Sequence, residues 1–234
     1  ALYAALIFGA MVFYTYSPGQ LIIVASGVFL LISDLRYHWQ QRRVAVRGLL
    51  LLGLLVLPFA RYYLAHPDAP LQHLTTRAPF WMENIPFQDK LQRFLGEYLA
   101  ALDPRYWFLP NQRDLDRHLM QGYGHLSMWM LPLLAVGLVI SLSRVRSAAH
   151  RAVLLALLAG PSGSALVGVG VTRLLVLVIP ATILMTLGLS HTLDWGVRQT
   201  ARLVKRLHKG ILPTEQSLMR TQHVLALAVV DILS

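Results

Sequence analysis

Long apolar runs separated by short, purely basic loops constrain this chain more than any other feature of its sequence. Three loops, 36–47, 144–151 and 195–209, hold twelve Lys/Arg and no Asp or Glu. The longest polar segment, 61–125, instead balances seven Lys/Arg against seven Asp/Glu. Basic loops resist translocation across a bilayer. The pattern therefore predicts an integral membrane protein with those three loops on the cytoplasmic side and the neutral segment on the other.

Composition agrees with that class. The 234 residues are 56% hydrophobic and only 14% charged, where a soluble domain carries about a quarter charged residues. The net charge of +10 lies in loops beside apolar runs, which makes anionic lipid headgroups the expected counterions. No RNA-binding or helix-turn-helix signature accompanies it, so no nucleic-acid partner is expected. The absence of cysteine excludes disulfides and thiolate chemistry. The chain opens on Ala1 inside an apolar run, with no signal-peptide pattern, and Val224 to Ser234 form part of another. The expectation is a piece of a longer protein.

Six spans are predicted, at about 1–15, 19–35, 48–65, 126–143, 152–171 and 174–193. A helix needs roughly 17–25 apolar residues to cross the hydrocarbon core, and in lipid the backbone has to satisfy its own polar groups. The expected fold is thus an all-α polytopic membrane protein of about six transmembrane helices. Residues 1–193 form the membrane region. Residues 194–234 form a basic cytoplasmic tail and the start of a further apolar segment. Pro58, Pro132, Pro161 and Pro180 interrupt the spans. Gly160-Pro161-Ser162-Gly163-Ser164 makes the fifth the weakest helix, broken or re-entrant.

The loop segment 66–125 is rich in aromatic residues. Leu91, Phe94, Leu95, Tyr98 and Leu99 follow helical spacing, which predicts an amphipathic helix over 88–101 at the membrane surface, between Pro86 and Asp103-Pro104. Basic residues over 196–210 predict a second surface helix. His66 with His73, and His118 with His125, are each seven apart, and both pairs read as interfacial histidines; no metal site is expected.

Three groups on the predicted outer face could carry chemistry. Tyr16-Ser17-Pro18-Gly19 is turn chemistry between two spans, read either as a plain hairpin or as the rim of a cavity. Arg117-His118, beside Gly122 and Gly124, could grip a phosphate through paired donors, or could with Asp114 and Asp116 form the charged start of a helix. Arg173 stands alone in a turn, where phosphate binding and simple snorkelling are equally natural.

Taken in order, these motifs resemble the membrane glycosyltransferases of the GT-C type. The nearest branch is the dolichyl-phosphate-mannose protein mannosyltransferases and their bacterial relatives. The resemblance runs over 1–193. It rests on Tyr14-Thr15-Tyr16-Ser17-Pro18-Gly19, a span ending at His66-Pro67, Arg77 near an aromatic pair, Tyr98-Leu99 through Asp103-Pro104 to Trp107-Phe108-Leu109, Arg117-His118 with Gly122 and Gly124, Leu131-Pro132, Gly160-Pro161 and Arg173 with Pro180. It implies transfer of a sugar from a polyprenyl-phosphate donor to an acceptor on the extracytoplasmic face of the plasma (inner) membrane. It further implies Arg117, His118 and Arg173 at the donor phosphate, a cavity rim at Tyr16, Ser17, Pro18 and Gly19, and a general base upstream of Ala1. The chain departs from the pattern at Gly170, where relatives often have His, and at Gln20, where many have Arg. Those departures keep a second expectation open: a non-catalytic GT-C-like subunit that acts as a scaffold with membrane partners. A transporter is a third, weaker reading, since no predicted span carries a charge near mid-membrane.

Overall fold

The computed structural model of the chain describes residues 2–77 and 79–211. The apolar segment expected at 224–234 lies outside them, as do the side chains of His73, Arg77, Arg206 and Lys209. All regular elements among the described residues are helical: α1 (Leu2–Thr15), α2 (Ser17–Ser33), α3 (Leu35–Gln40), α4 (Arg42–Ala65), α5 (Ala69–Arg77), α6 (Pro79–Met82), α7 (Phe87–Leu102), α8 (Pro104–Phe108), α9 (Leu131–Ser143), α10 (Ala148–Ala159), α11 (Pro161–Ala165), α12 (Val171–Leu174) and α13 (Val178–Ile211), with short 3-10 turns between some of them. The chain divides into two compact units, Ala1–Leu189 and Ser190–Ser234. In the second, the described residues 190–211 continue α13 as helix.

Among the described residues, two helical stretches are long and apolar enough to cross a membrane: α4 and the run Val171–Lys205. Helices α1, α2 and the stretch Met128–Ser143 are apolar but shorter. Several predicted boundaries move. The basic stretch 36–47 is not an open loop, because α3 and the first turns of α4 occupy it. The run at 196–210 is not a separate surface helix but the continuation of α13. No proline or glycine pair stops the helix after Leu193, and straight-chain residues such as Arg202 and Lys205 favour its continuation. The fifth apolar run does break. Helix α10 ends at Ala159, the buried turn α11 follows, and Gly168 adopts φ 98°, a left-handed backbone that glycine reaches at no steric cost.

Helix α7 matches the periodicity read from sequence, one residue longer at each end. Its Tyr98 hydroxyl bonds the Leu158 carbonyl of α10, so one face rests on protein. Phe87, Leu91, Leu95 and Leu99 stay exposed on another. Asp34, after the end of α2, accepts a hydrogen bond from Arg151. Near Pro58 the Tyr14 hydroxyl enters the helical ladder of α4. It donates to the Leu55 carbonyl at 2.6 Å and accepts from the Phe59 amide at 3.2 Å. A side chain inserted between those i and i+4 partners is a recognised cause of helix bending.

Two glycines let helices approach closely. A Cβ on Gly163 of α11 would overlap the Pro18 carbonyl of α2, and one on Gly137 of α9 would overlap the Leu184 carbonyl of α13. Small residues at such crossings are how apolar helices gain contact where lipid removes the usual hydrophobic drive.

Candidate functional site

The buried cluster Ala101, Tyr106, Trp107, Phe108, Leu174 and Leu177 anchors a set of polar groups. The chain builds it by local rules. Asp103 Oδ1 accepts the Arg105 amide at 2.8 Å and caps α8, whose first residue is Pro104, a favoured pairing at a helix start. Trp107 Nε1 donates to the Ala101 carbonyl at 2.8 Å. Asn111 then turns the chain back: its Oδ1 accepts the Arg113 amide at 3.1 Å and its Nδ2 donates to the Tyr106 carbonyl at 3.0 Å, an Asx turn. Asp114 is carried to the Tyr106 hydroxyl as a result.

Segment 122–126 returns beside the same aromatics. Gly122 has φ 78°. A Cβ on Gly124 would strike the backbone of Phe108 and Leu109, so the close approach needs glycine there. The Leu126 amide donates to the Trp107 carbonyl at 2.7 Å. His125 is thereby set with its ring 5.3 Å from that of Tyr106 and its Nε2 2.9 Å from Asp114 Oδ2.

Asp114 is the hub. Its side chain is 2% exposed. Oδ2 accepts from the Tyr106 hydroxyl at 2.9 Å and faces His125, while Oδ1 accepts the Val171 amide at 2.6 Å. Burial alone would raise its pKa. The Val171 amide, the Tyr106 hydroxyl and His125 outweigh burial and hold the carboxyl below the usual carboxylate range, as expected where hydrogen bonds favour the charged form. Burial, then the hydrogen bond to Asp114 and its charge, push the Tyr106 hydroxyl strongly upward, so it stays protonated.

The segment before α12 collects further contacts. Glu97 Oε2 accepts the Val169 amide at 2.7 Å, with Arg113 Nη1 4.0 Å from the same oxygen. Arg173 Nη1 donates to the Gly168 carbonyl at 3.1 Å. The Tyr16 hydroxyl donates to the Thr172 carbonyl at 2.8 Å. Burial raises the Tyr16 pKa, and the Arg173 charge opposes the rise.

The outer groups read from sequence therefore separate into two sets. Tyr16, preceding the Ser17-Pro18-Gly19 start of α2, meets the α12 turn that carries Arg173. Arg117 and His118 contact each other, Nε to Nε2 at 3.3 Å, on a 3-10 turn at Asp116–His118. Among the described residues no hydrogen bond joins that turn to Arg173. Asp114 and Asp116 do not start the fourth predicted span, because α9 begins only at Leu131. Glu97, Tyr106 and His125 are not among the site residues read from sequence, and Asp114 enters there only with Asp116 as the possible charged start of a helix. The one local signal for Asp114 is the Asn111 turn three residues before it. Among the described residues no three His, Asp or Glu converge as a metal site.

No protein-family model, no curated protein and no solved structure matches the chain.

One consequence for pH follows from the direction of the Asp114 shift. A carboxyl with a depressed native pKa contributes stability that is complete above its unfolded value, about 3.9, and that is lost as pH falls through its lower native value. Thermal unfolding of detergent-solubilised protein is expected to separate wild type from Asp114→Asn at pH 6–7, with the gap closing below about pH 4. A gap independent of pH would contradict the assignment.

Proposed function

We propose that the chain is the donor-binding part of a polytopic glycosyltransferase that takes a sugar from a polyprenyl-phosphate carrier on the extracytoplasmic face of the plasma membrane. In this reading α1, α2, α4, α9, the broken α10–α11 pair and α13 provide six membrane passages. The basic stretches 36–47, 144–151 and 195–209 face the cytoplasm, in keeping with their lack of carboxylates.

The observation that carries the reading is the hydrogen bond from Tyr16 to the Thr172 carbonyl. It joins two of the motifs on which the GT-C resemblance rests, 156 residues apart, at the guanidinium best suited to a phosphate. Among the described residues Arg173 makes one hydrogen bond through its side chain, to a neutral carbonyl. Its remaining donors fit the planar, two-pronged recognition of a phosphate. Transfer requires the acceptor oxygen to bond the sugar's anomeric carbon while the bond from that carbon to the phosphate oxygen breaks. The phosphate leaves with the electron pair, and the acceptor proton goes to a general base. A cation beside the leaving phosphate stabilises the charge that develops on it.

The test is transfer of radiolabelled sugar from a panel of polyprenyl-phosphate sugars, by the full protein in proteoliposomes, to membrane lipid and protein acceptors. Arg173→Ala is expected to lower transfer by about 100-fold or more, in the range for loss of a charge-stabilising donor. Arg117→Ala is expected to act more weakly, because no hydrogen bond joins its turn to α12 among the described residues. Absence of label transfer from every donor would refute the enzyme reading. It would favour the second one, a non-catalytic subunit, which draws support from Asp114: both its oxygens are engaged in hydrogen bonds, which suits a structural carboxylate.

A further inference from the structure

Helix α12 begins at a residue that cannot cap it. Gly170 is its N-cap, in extended conformation (φ −167°, ψ 137°) and without a side chain. Helix starts leave backbone N–H groups without partners, and the usual remedy is an oxygen on the N-cap side chain. Here the oxygen comes from far along the chain. Asp114 Oδ1 accepts the Val171 amide, 57 residues away, and Glu97 Oε2 accepts the Val169 amide, 72 residues away. Two carboxylates on separate elements thus hold alternate amides of one four-residue stretch. Arg173 closes the turn through the Gly168 carbonyl.

We propose that Asp114, supported by Glu97, is a positioning residue for Arg173. The two carboxylates fix the backbone of 168–171 and so set where the guanidinium presents its free donors. The proposal rests on the reading of Arg173 as a phosphate contact and adds to it the groups that aim the arginine. Asp114 is suited to the task because its oxygens are fixed by Tyr106 and His125, which stand on the buried aromatic cluster. Glu97 is held on α7, whose neighbour Tyr98 bonds α10. The carboxylate of Asp114 and the Arg173 guanidinium also face each other across Gly170. Asp114 Oδ1 and Arg173 Nη1 each lie 3.7 Å from where a Gly170 Cβ would stand. No ion pair joins them among the described residues, so Arg173 keeps its charge for a ligand while the nearby carboxylate biases its direction. A small side chain at 170 would meet only ordinary contacts, but an N-cap oxygen there would reach the amide of Thr172 or Arg173, so the Val171 amide depends on Asp114.

The experiment uses the full protein in lipid nanodiscs with two readouts. The first is hydrogen–deuterium exchange of the peptide covering 166–174. The second is saturable binding of polyprenyl monophosphate, the probe lipid without sugar. Asp114→Ala is expected to speed exchange in that peptide at least tenfold and to weaken lipid binding about tenfold. The double variant Asp114→Ala/Arg173→Ala is expected to bind no more weakly than Arg173→Ala alone, since residues acting through one contact are non-additive. If Asp114→Ala does not fold, Asp114→Asn and Glu97→Gln carry the same comparison. Unchanged exchange in 166–174, or additive losses in the double variant, would overturn the positioning role. Failure of wild type to bind the lipid would instead refute the phosphate reading of Arg173, while the exchange data still decide whether Asp114 holds the segment.

Discussion

Replacing Asp114 with alanine is expected to destabilise the unit Ala1–Leu189 by about 3 kcal/mol, the scale for removing one partner of a buried charged network. The loss has identifiable parts. The Val171 amide, the Tyr106 hydroxyl and the His125 ring all direct hydrogen-bonding atoms at the same buried carboxylate. Alanine leaves each without its acceptor and opens a void beside the Tyr106 ring. Unsatisfied buried groups cost more than the bonds they once made were worth, because water no longer compensates them. At the size of this chain the change corresponds to a fall in Tm of roughly 6–12 °C. Asparagine should lose less, since its amide oxygen can still accept from Val171. Tyr106→Phe should lose less again, because Oδ1 keeps its partner. The order alanine, asparagine, Tyr106→Phe in thermal unfolding checks the network as a whole. An alanine variant within about 0.5 kcal/mol of wild type, the span of an ordinary surface change, would contradict the account of this site.

Replacing Gly163 with alanine is expected to cost about 1–3 kcal/mol by overpacking. The added Cβ would overlap the Pro18 carbonyl. Both sides of that contact are backbone, so no rotamer change relieves it. Residues Pro161 to Ala165 are all buried, which leaves separation of α11 from α2 as the only relief. Pro18 lies two residues after Tyr16, and moving it pulls the Tyr16 hydroxyl from the Thr172 carbonyl. The variant should therefore weaken lipid-phosphate binding as well as stability. Gly96→Ala is the control: Gly96 is an exposed position in α7 where a Cβ meets nothing within 4 Å, so alanine there should be neutral or stabilising by up to about 1 kcal/mol. Equal behaviour of the two variants would show that the α2–α11 contact is not tight.

The helices were legible in the sequence wherever one physical rule governed a whole segment. The spacing of Leu91, Phe94, Leu95 and Tyr98 gave α7 to within a residue at each end, and the composition of 160–164 located the break after α10. Boundaries failed where basic residues were taken to separate helices. Arg42, Arg43 and Arg47 begin α4 and Arg198 and Arg202 extend α13, because arginine is a good helix former whose charge a solvated helix surface tolerates. The site was less legible. Tyr16 and Arg173 drew attention as isolated polar groups between apolar runs, and their two turns do meet. Glu97 and Asp114 did not stand out, because their partners are backbone amides more than fifty residues away and nothing in local spacing marks an oxygen that caps a distant helix. The missing side chain at Gly170 was the available clue. A helix start without its own cap requires an acceptor from elsewhere, and a buried carboxylate is the group that supplies it.

The most direct test of the central claim is photo-crosslinking with a diazirine-bearing polyprenyl phosphate, applied to the full protein in native membranes and read by peptide mapping. The account predicts label on the segment around Gly168–Leu174 and on the start of α2 at Tyr16–Gly19. That label should be competed by unmodified polyprenyl phosphate and lost in Arg173→Ala. Label confined to the basic run 195–205 or to the Arg117 turn, and unaffected by Arg173→Ala, would contradict it.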